Sequence, residues 1–310
     1  PCIPPNTGST MPHDAGGTYD DSGNAAAGGG GPRFGGRWVS GGLSGLSDAG
    51  RSQPYYYRAP NRSLPFRPTP TSGEYDAKYF NLQRLTYDSG SSKYKMLDPS
   101  GTVRTFNASG RIESVAGKCG LHTNYSYDGS GDIAEIGTTF DDGTNSYEYA
   151  WSGGRISGVT YKVGTRQVLK SLFGYDTDGN LLTVKMYENS AAAGVTPAWG
   201  DPVSCSRYSY HADGRLRHVI PPTQYRQMLN NGIDPETATE SQLNEYASAE
   251  YFYSGDRVSL MYKNGRRYSH EFAYTFNYPS GADLNHWTTR TTVTLSDGSR
   301  HVYYFNRIGQ

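Results

Sequence analysis

Residues 173–184 read FGYDTDGNLLTV, and within them Asp176, Asp178 and Asn180 stand at alternate positions. Two carboxylates and a carboxamide at that spacing open a calcium loop, because alternate side chains of a tight loop converge on a hard cation. An EF-hand loop also needs glycine at its sixth place and an acidic residue at its twelfth. Counted from Asp176, those places hold Leu181 and Tyr187. The same twelve residues read equally as two short strands about a turn, with Gly179 supplying the backbone reversal.

The other residues capable of chemistry are scattered. His270-Glu271 has no second histidine at the spacing of a helical zinc motif, and no Cys-x-x-Cys, Gly-x-Ser-x-Gly or Gly-x4-Gly-Lys run occurs. His211 and His218 lie either side of a predicted turn and face each other if the two strands pair. The acidic pairs Asp20-Asp21 and Asp141-Asp142 sit in turn-like surroundings and read as solvated. The two carboxylates of a glycosidase need not be near in sequence, so spacing alone does not test for such a pair. No catalytic, cofactor-binding or metal-ligating residue is assigned, and the expectation is a non-enzymatic protein without a cofactor.

The elements that would position these residues follow from composition. The 310 residues carry 29 basic and 29 acidic side chains, so no long-range field points to nucleic acid or an anionic membrane. No apolar run is long enough for a membrane helix. The chain opens on Pro1 with no charged-then-apolar leader, which reads as a leader already removed or as a piece of something longer. Aliphatic residues are scarce but tyrosines number 27, and tyrosine forms strands while burying its ring and wetting its hydroxyl. Cys2, Cys119 and Cys205 cannot all pair internally, and their pairing stays open. Asn61-Arg-Ser63, Asn107-Ala-Ser109 and Asn124-Tyr-Ser126 fit the N-glycosylation triplet, which at this frequency speaks weakly for secretion.

Two zones follow. Residues 1–73 hold 10 of the 17 prolines and 15 of the 39 glycines, a density that suggests a linker or an extended arm without its own core. Trp38, Tyr55, Tyr56, Tyr57 and Phe66 are the arm's candidate assembly anchors. Residues 74–310 switch to strand patterns with turn punctuation. A unit recurs there: FNASGRIESV (106–115), YDGSGDIAEI (127–136), YAWSGGRISGV (149–159), YDTDGNLLTV (175–184), YHADGRLRHV (210–219), YSGDRVSLM (253–261) and an incomplete FNRIGQ (305–310). Its key aromatics are Phe106, Tyr127, Tyr149, Tyr175, Tyr210, Tyr253 and Phe305. Its turn glycines are Gly110, Gly131, Gly154, Gly179, Gly214, Gly255 and Gly309. In all units but the first, a second aromatic stands two residues earlier, which places both rings on one face of a strand. Each unit reads as a β-hairpin, with the aliphatic residues beginning the return strand. Residues 221–249 interrupt with a helical pattern: a proline-led stretch ending at Gly232, then Thr239 and Gln242 in capping-box spacing. Residues 270–305 read as further hairpins, with a Ser-Asp-Gly-Ser turn at 296–299.

The aromatic–polar–x–x–Gly–Arg–aliphatic unit resembles the YD repeat of Rhs proteins, a family that includes the shells of insecticidal toxin complexes and of teneurins. LDPSGTVRTFNASGRIESV (97–115) looks like a family unit with its preceding Gly-Thr-Val strand. The resemblance is strongest over 97–261. It implies an all-β fold: antiparallel hairpins in a spiralling, curled β-sheet wall, an open barrel or shell segment with the short helical insertion. Three functions are expected of the chain. The first is an extracellular or cell-surface structural protein whose open ends pair with copies of itself, or with the remainder of a longer shell, giving a filament or larger shell. The second is the amino-terminal fragment of an Rhs-type toxin-encapsulating shell. The third is a surface adhesin whose exposed tyrosines stack on glycans.

Overall fold

The computed structural model describes residues 44–47, 56–59, 62–78, 82–118, 120–140, 143–277 and 286–306. It contains two units: Pro1–Phe173 with Tyr187–Asp201, and Gly174–Met186 with Pro202–Gln310. Both are built of antiparallel strands, with two short helices in the second. No helix among the described residues is long and apolar enough to cross a membrane.

The first unit runs through β1 (Gly45–Ser47), β2 (Tyr56–Ala59), β3 (Arg62–Pro68), β4 (Glu74–Ala77), β5 (Arg84–Asp88), β6 (Lys93–Leu97), β7 (Val103–Phe106), β8 (Ile112–Ala116), β9 (His122–Tyr127), β10 (Ile133–Phe140), β11 (Gly143–Ser152), β12 (Arg155–Val163) and β13 (Arg166–Tyr175). Each of these strands pairs antiparallel with the next. The early strands alternate cleanly: in β6, Tyr94 and Met96 face in while Lys95 and Leu97 face out. Leu46, Leu64, Phe66, Ala77, Leu85, Tyr94, Met96, Phe106 and Ile112 form one core. From β10 onward the alternation fades, and most residues are half-buried on either face. That is the expected pattern where large amphipathic side chains cover both faces of one sheet.

The composition break at residue 73 is not a structural boundary. Strands begin at Gly45, and β3 pairs with β4 across the break, setting Phe66 against Ala77. Leu46, Leu64 and Phe66 are at most 3 % exposed. β1 is held on its far side as well: the Leu46 amide donates to the Gly110 carbonyl (2.8 Å), and Gly45 bridges Arg111. Two of the ten prolines that make this stretch look unstructured, at positions 65 and 68, sit inside β3.

The second unit contains β14 (Leu181–Glu188), β15 (Ser204–Tyr210), β16 (Leu216–Ile220), α1 (Pro222–Asn230), α2 (Glu240–Tyr246), β17 (Ala249–Ser254), β18 (Arg257–Lys263), β19 (Tyr268–Phe276), β20 (Trp287–Leu295) and β21 (Arg300–Asn306). These strands too pair in chain order and antiparallel. The helices cover Cys205 and Ile220 with Tyr225, Met228, Leu243 and Ala247. α1 starts at a proline, whose missing N–H costs nothing in the first turn. α2 starts in a capping box in which Thr239 and Gln242 satisfy each other's amides.

Candidate functional site

The residues that looked like metal ligands close turns. The Asp176 Oδ1 accepts from the Asn180 amide (2.7 Å) and Oδ2 from Asn180 Nδ2 (3.0 Å). Asn107 takes the amides of Ser109 and Arg111 (both 3.0 Å), and Asp128 those of Ser130 and Asp132 (both 2.9 Å). A backbone frame recurs beneath. The Asp176 amide donates to the Asn180 carbonyl (2.9 Å), and the Gly179 amide to the Asp176 carbonyl (3.0 Å). The same two bonds recur at Asn107, Asp128 and His211, and at Asp98 with Gly101. The glycines Gly110, Gly131, Gly154, Gly179, Gly214 and Gly255 have φ between +56° and +83°, where a Cβ is unfavourable. Gly309 lies outside the described residues. Asn107, Asp128 and Asp176 therefore work as turn clamps. Asp178 is exposed. Among the described residues no group of three or more His, Cys, Asp or Glu is placed to hold a metal ion. Asp141 and Asp142 lie outside them.

Beside the turns at Gly110, Gly131, Gly154, Gly214 and Gly255 the ladder carries a bulge. Phe106 pairs with Ile112 but Thr105 with Ser114, so Glu113 is the extra residue. Equivalent slips follow Ile133, Ile156, Leu216 and Val258. A bulge disrupts the ladder locally, and a half-buried carbonyl left without a donor is costly. Here the next hairpin supplies the donor. The Tyr127 hydroxyl donates to the Ile112 carbonyl (2.7 Å), and the Trp151 indole to Ile133 (2.8 Å). Tyr210 donates to Leu181 (2.7 Å), Tyr253 to Leu216 (2.9 Å) and Tyr274 to Val258 (2.9 Å). Burial pushes the Tyr127 hydroxyl up to about 12, with Arg111 opposing, so it stays a donor at any ordinary pH.

The arginine beside the bulged aliphatic residue reinforces the same link. Arg111 lies over the Tyr127 ring (5.6 Å), Arg215 over Tyr253 (4.5 Å) and Arg257 over Tyr274 (5.2 Å). Arg215 also donates to the Gly255 carbonyl, in the turn of the hairpin it reaches. Arg111 occupies the space that a Cβ on Gly131 would need. One Arg–aliphatic dipeptide thus grips the following unit by a ring face and by that ring's polar tip.

One polar cluster lies outside this pattern. His218 and Glu250 are each 1 % exposed. Arg266 forks onto Glu250 through Nε (2.7 Å) and Nη2 (2.9 Å), and Arg217 joins Glu250 to Glu240 of α2. His218 Nε2 lies 2.7 Å from Asn244 Oδ1 and 3.3 Å from Glu250 Oε1. A carboxylate only accepts, so the ring proton sits on Nε2, and Ser209 Oγ donates to Nδ1 (2.7 Å). Serine, imidazole and an orienting oxygen are the parts of an activated nucleophile. Here the imidazole is enclosed and both its nitrogens are occupied, so the cluster fastens α2 to the sheet. His211 and His218 do not face each other. His218 pairs with Ser209, while His211 Nε2 meets the Tyr251 carbonyl at 2.7 Å.

Of the expected anchors, Phe66 is fully buried in its own unit's core and offers nothing to another chain. Tyr56 and Tyr57 belong to β2, opposite Pro65 and Leu64. Trp38 and Tyr55 lie outside the described residues, as do Cys2 and Cys119, whereas Cys205 is a free, buried thiol. Among the key aromatics, Phe106 is core, Tyr127, Tyr210 and Tyr253 are interlock donors, Tyr149 and Tyr175 are half-buried, and Phe305 is exposed. The longer third unit hands the donor role to Trp151. Tyr274 extends the series, and its spacing signals it: it lies 16 residues beyond its acceptor, against 15 for Tyr127. Two further features stand apart from the interlock. Tyr125, Ile136, Tyr147, Tyr161 and Leu169 are successive cross-strand partners over β9–β13, with Tyr147 and Tyr161 rings 5.0 Å apart. In β21, Val302, Tyr303, Tyr304 and Phe305 are 37–55 % exposed.

No protein-family sequence model matches the chain, and no curated protein does. Among solved structures, a crystal structure of TcdB2-TccC3-Cdc42 aligns at 12 % identity over 81 % of this chain, with a TM-score of 0.35. One of TcdB2-TccC3-TEV aligns at 10 % identity over 83 %, with a TM-score of 0.33. The chain spans about 15 % of the length of these neighbours.

Proposed function

We propose that this chain is a non-enzymatic structural protein of the YD-repeat kind, an extracellular shell-like β-segment that assembles with further strands at its open sheet edge. The supporting observation is the interlock. In four places an aromatic N–H or O–H closes onto the bulge carbonyl of the preceding hairpin, and Tyr210 donates likewise to Leu181. The repeat's recurring side chains are thereby committed to holding hairpin on hairpin, a use that suits a scaffold. Negative-stain imaging and sedimentation of the purified chain test the reading, with filaments or closed particles expected. A monodisperse monomer at tens of micromolar, or a hydrolytic activity that a single substitution abolishes, contradicts it.

A second reading draws on the tyrosine row of β9–β13. Tyr147, exposed, and Tyr161, half-buried, neighbours across the strands with no charged residue among the five, suit the faces of neutral sugars. Glycan-array binding lost in Tyr147→Ala and Tyr161→Ala supports it, and an array without hits removes it.

A further inference from the structure

Two phenol rings of the first unit are set against each other across a strand pair. Tyr147 of β11 and Tyr161 of β12 are direct cross-strand partners, their ring centroids 5.0 Å apart and their planes at 36°. Further along the same ladder the Gly164 amide donates to the Thr144 carbonyl (2.7 Å), so residues 144 and 164 form a hydrogen-bonded pair. Hydrogen-bonded and non-hydrogen-bonded pairs alternate along an antiparallel ladder, and Tyr147 lies an odd number of residues from Thr144. Tyr147 and Tyr161 are therefore a non-hydrogen-bonded pair, the kind whose side chains approach most closely. Their other neighbours in the row are aliphatic, Ile136 opposite Tyr147 and Leu169 opposite Tyr161. Each ring thus has the other as its tyrosine partner across the strands. Tyr147 is 36 % exposed, so reagents in solvent reach the pair. Burial, with Tyr161 adding to it, lifts the Tyr147 hydroxyl above the usual tyrosine range, which keeps it a phenol at neutral pH.

We propose that Tyr147 and Tyr161 are a site of oxidative cross-linking, joined within one chain as dityrosine by hydrogen peroxide acting through a haem peroxidase. The proposal rests on neither of the readings above. Each phenol loses one electron and one proton and becomes a phenoxyl radical. The two radicals join carbon to carbon, ortho to each oxygen. The hydrogen on each joined carbon then leaves as a proton while the ring oxygen takes one up, which restores both phenols. Two tyrosines and one hydrogen peroxide give one dityrosine and two waters. Rings already held as partners react within one molecule, which outpaces coupling between freely diffusing chains. The new bond closes a covalent ring around residues 148–160, including the bulge after Ala150 and the turn at Gly153-Gly154, and locks β11 to β12. A second pair supplies the contrast. Tyr87 and Tyr94 are also cross-strand partners, with centroids 4.7 Å apart, but Tyr94 is 3 % exposed and belongs to the core. Coupling there would pull Tyr94 out of that core, so access as well as distance selects Tyr147 and Tyr161. Tyr268, Tyr303 and Tyr304 are more exposed than Tyr147 and are where coupling between chains would begin.

The test treats the full chain at micromolar concentration with a haem peroxidase and limiting hydrogen peroxide, then digests it with trypsin. Arg155 lies between the two tyrosines, and Tyr161 is the sole tyrosine of the tryptic peptide 156–162. The expected product is that peptide joined to the one ending at Arg155, lighter than their sum by two hydrogens. It should come from protein that still runs as a single chain in a denaturing gel, and fragmentation should place the link at Tyr147. This mapping of the unsubstituted chain decides by itself. Tyr147→Phe keeps the ring, and with its fold checked by circular dichroism it is expected to lower the yield of the linked pair at least about tenfold, while Tyr125→Phe and Tyr149→Phe leave it within about twofold. A linked pair that survives Tyr147→Phe overturns the proposal. So does a first link at Tyr87 and Tyr94, or a first link between chains through Tyr268, Tyr303 or Tyr304. Oxidation of tryptophan and methionine without any dityrosine overturns it as well.

Discussion

One oxygen separates tyrosine from phenylalanine, and at Tyr127 that oxygen is all that meets the Ile112 bulge carbonyl. Tyr127→Phe keeps the ring, and its Arg111 contact, and deletes the donor. We expect a loss of about 1–2 kcal/mol, read from the urea midpoint at unchanged slope. The turn glycines make a graded set. Gly110 has φ +82°, and a Cβ there would run into the Leu46 carbonyl; Gly154 has φ +72° with open space around it. Gly154→Ala is expected to cost about 1 kcal/mol from backbone strain alone. Gly110→Ala should cost more than that and loosen β1, and equal urea midpoints for the two variants would refute this. The aromatic and glycine positions were legible in the sequence because they recur at fixed offsets. The role of the aromatic was not, since Phe106 fills the slot without a hydroxyl and Trp151 acts from a slot two residues later. The aspartate of the motif was ambiguous by itself, since a carboxylate that accepts turn amides and one that binds calcium need similar neighbours, and the failed sixth and twelfth loop positions with the varying sister repeats decided for the turn.

At the scale of the element, the helical insertion is held by buried charge. Removing one partner of such a group strands the others, so Glu250→Gln is expected to destabilise the second unit by about 3–5 kcal/mol. Acid should do the same in steps. Burial holds the His218 pKa below 6.5, against the Asn244 hydrogen bond and the Glu250 charge. The unfolded chain then binds more protons, so stability is complete above about 6.5 and lost as pH falls below it. Burial alone would raise the Glu250 carboxyl, but Arg266, His218 and Arg217 outweigh it and hold it below 4.5. Its contribution is present above 4.5 and lost as pH falls further. His270, also lowered by burial, adds a step of the first kind. Urea midpoints between pH 7 and 4 should fall throughout, and His218→Asn should shrink the loss below 6.5 and, because His218 helps hold Glu250 down, part of the loss below 4.5 as well. The capping box was plain from Thr239 and Gln242 because a cap is local. His218, Asn244 and Glu250 were not, because a cluster assembled across β16, α2 and β17 has no spacing of its own.

At the scale of the whole molecule, the antiparallel all-β class was legible because seven similar units left few other ways to pair. The start of the ordered sheet was not. A count of glycine and proline averages over a segment, whereas β3 needs only Leu64 and Phe66, two residues apart, to join a core. Phe66→Ala should cost about 3–5 kcal/mol and raise amide exchange through β1–β8, while β15–β18 keep their protection. Equal loss in both regions would show one cooperative core instead of two.

The interlock also makes no demand on the chain between its two halves. Tyr127 and Ile112 are 15 residues apart, Tyr253 and Leu216 are 37 apart, and their bonds are 2.7 Å and 2.9 Å. The longer interval holds both helices together with His218, Asn244 and Glu250. Each gap between a bulge and its aromatic is thus a port where new sequence can enter without disturbing the sheet, and lineages of such chains should differ most in the lengths of those gaps.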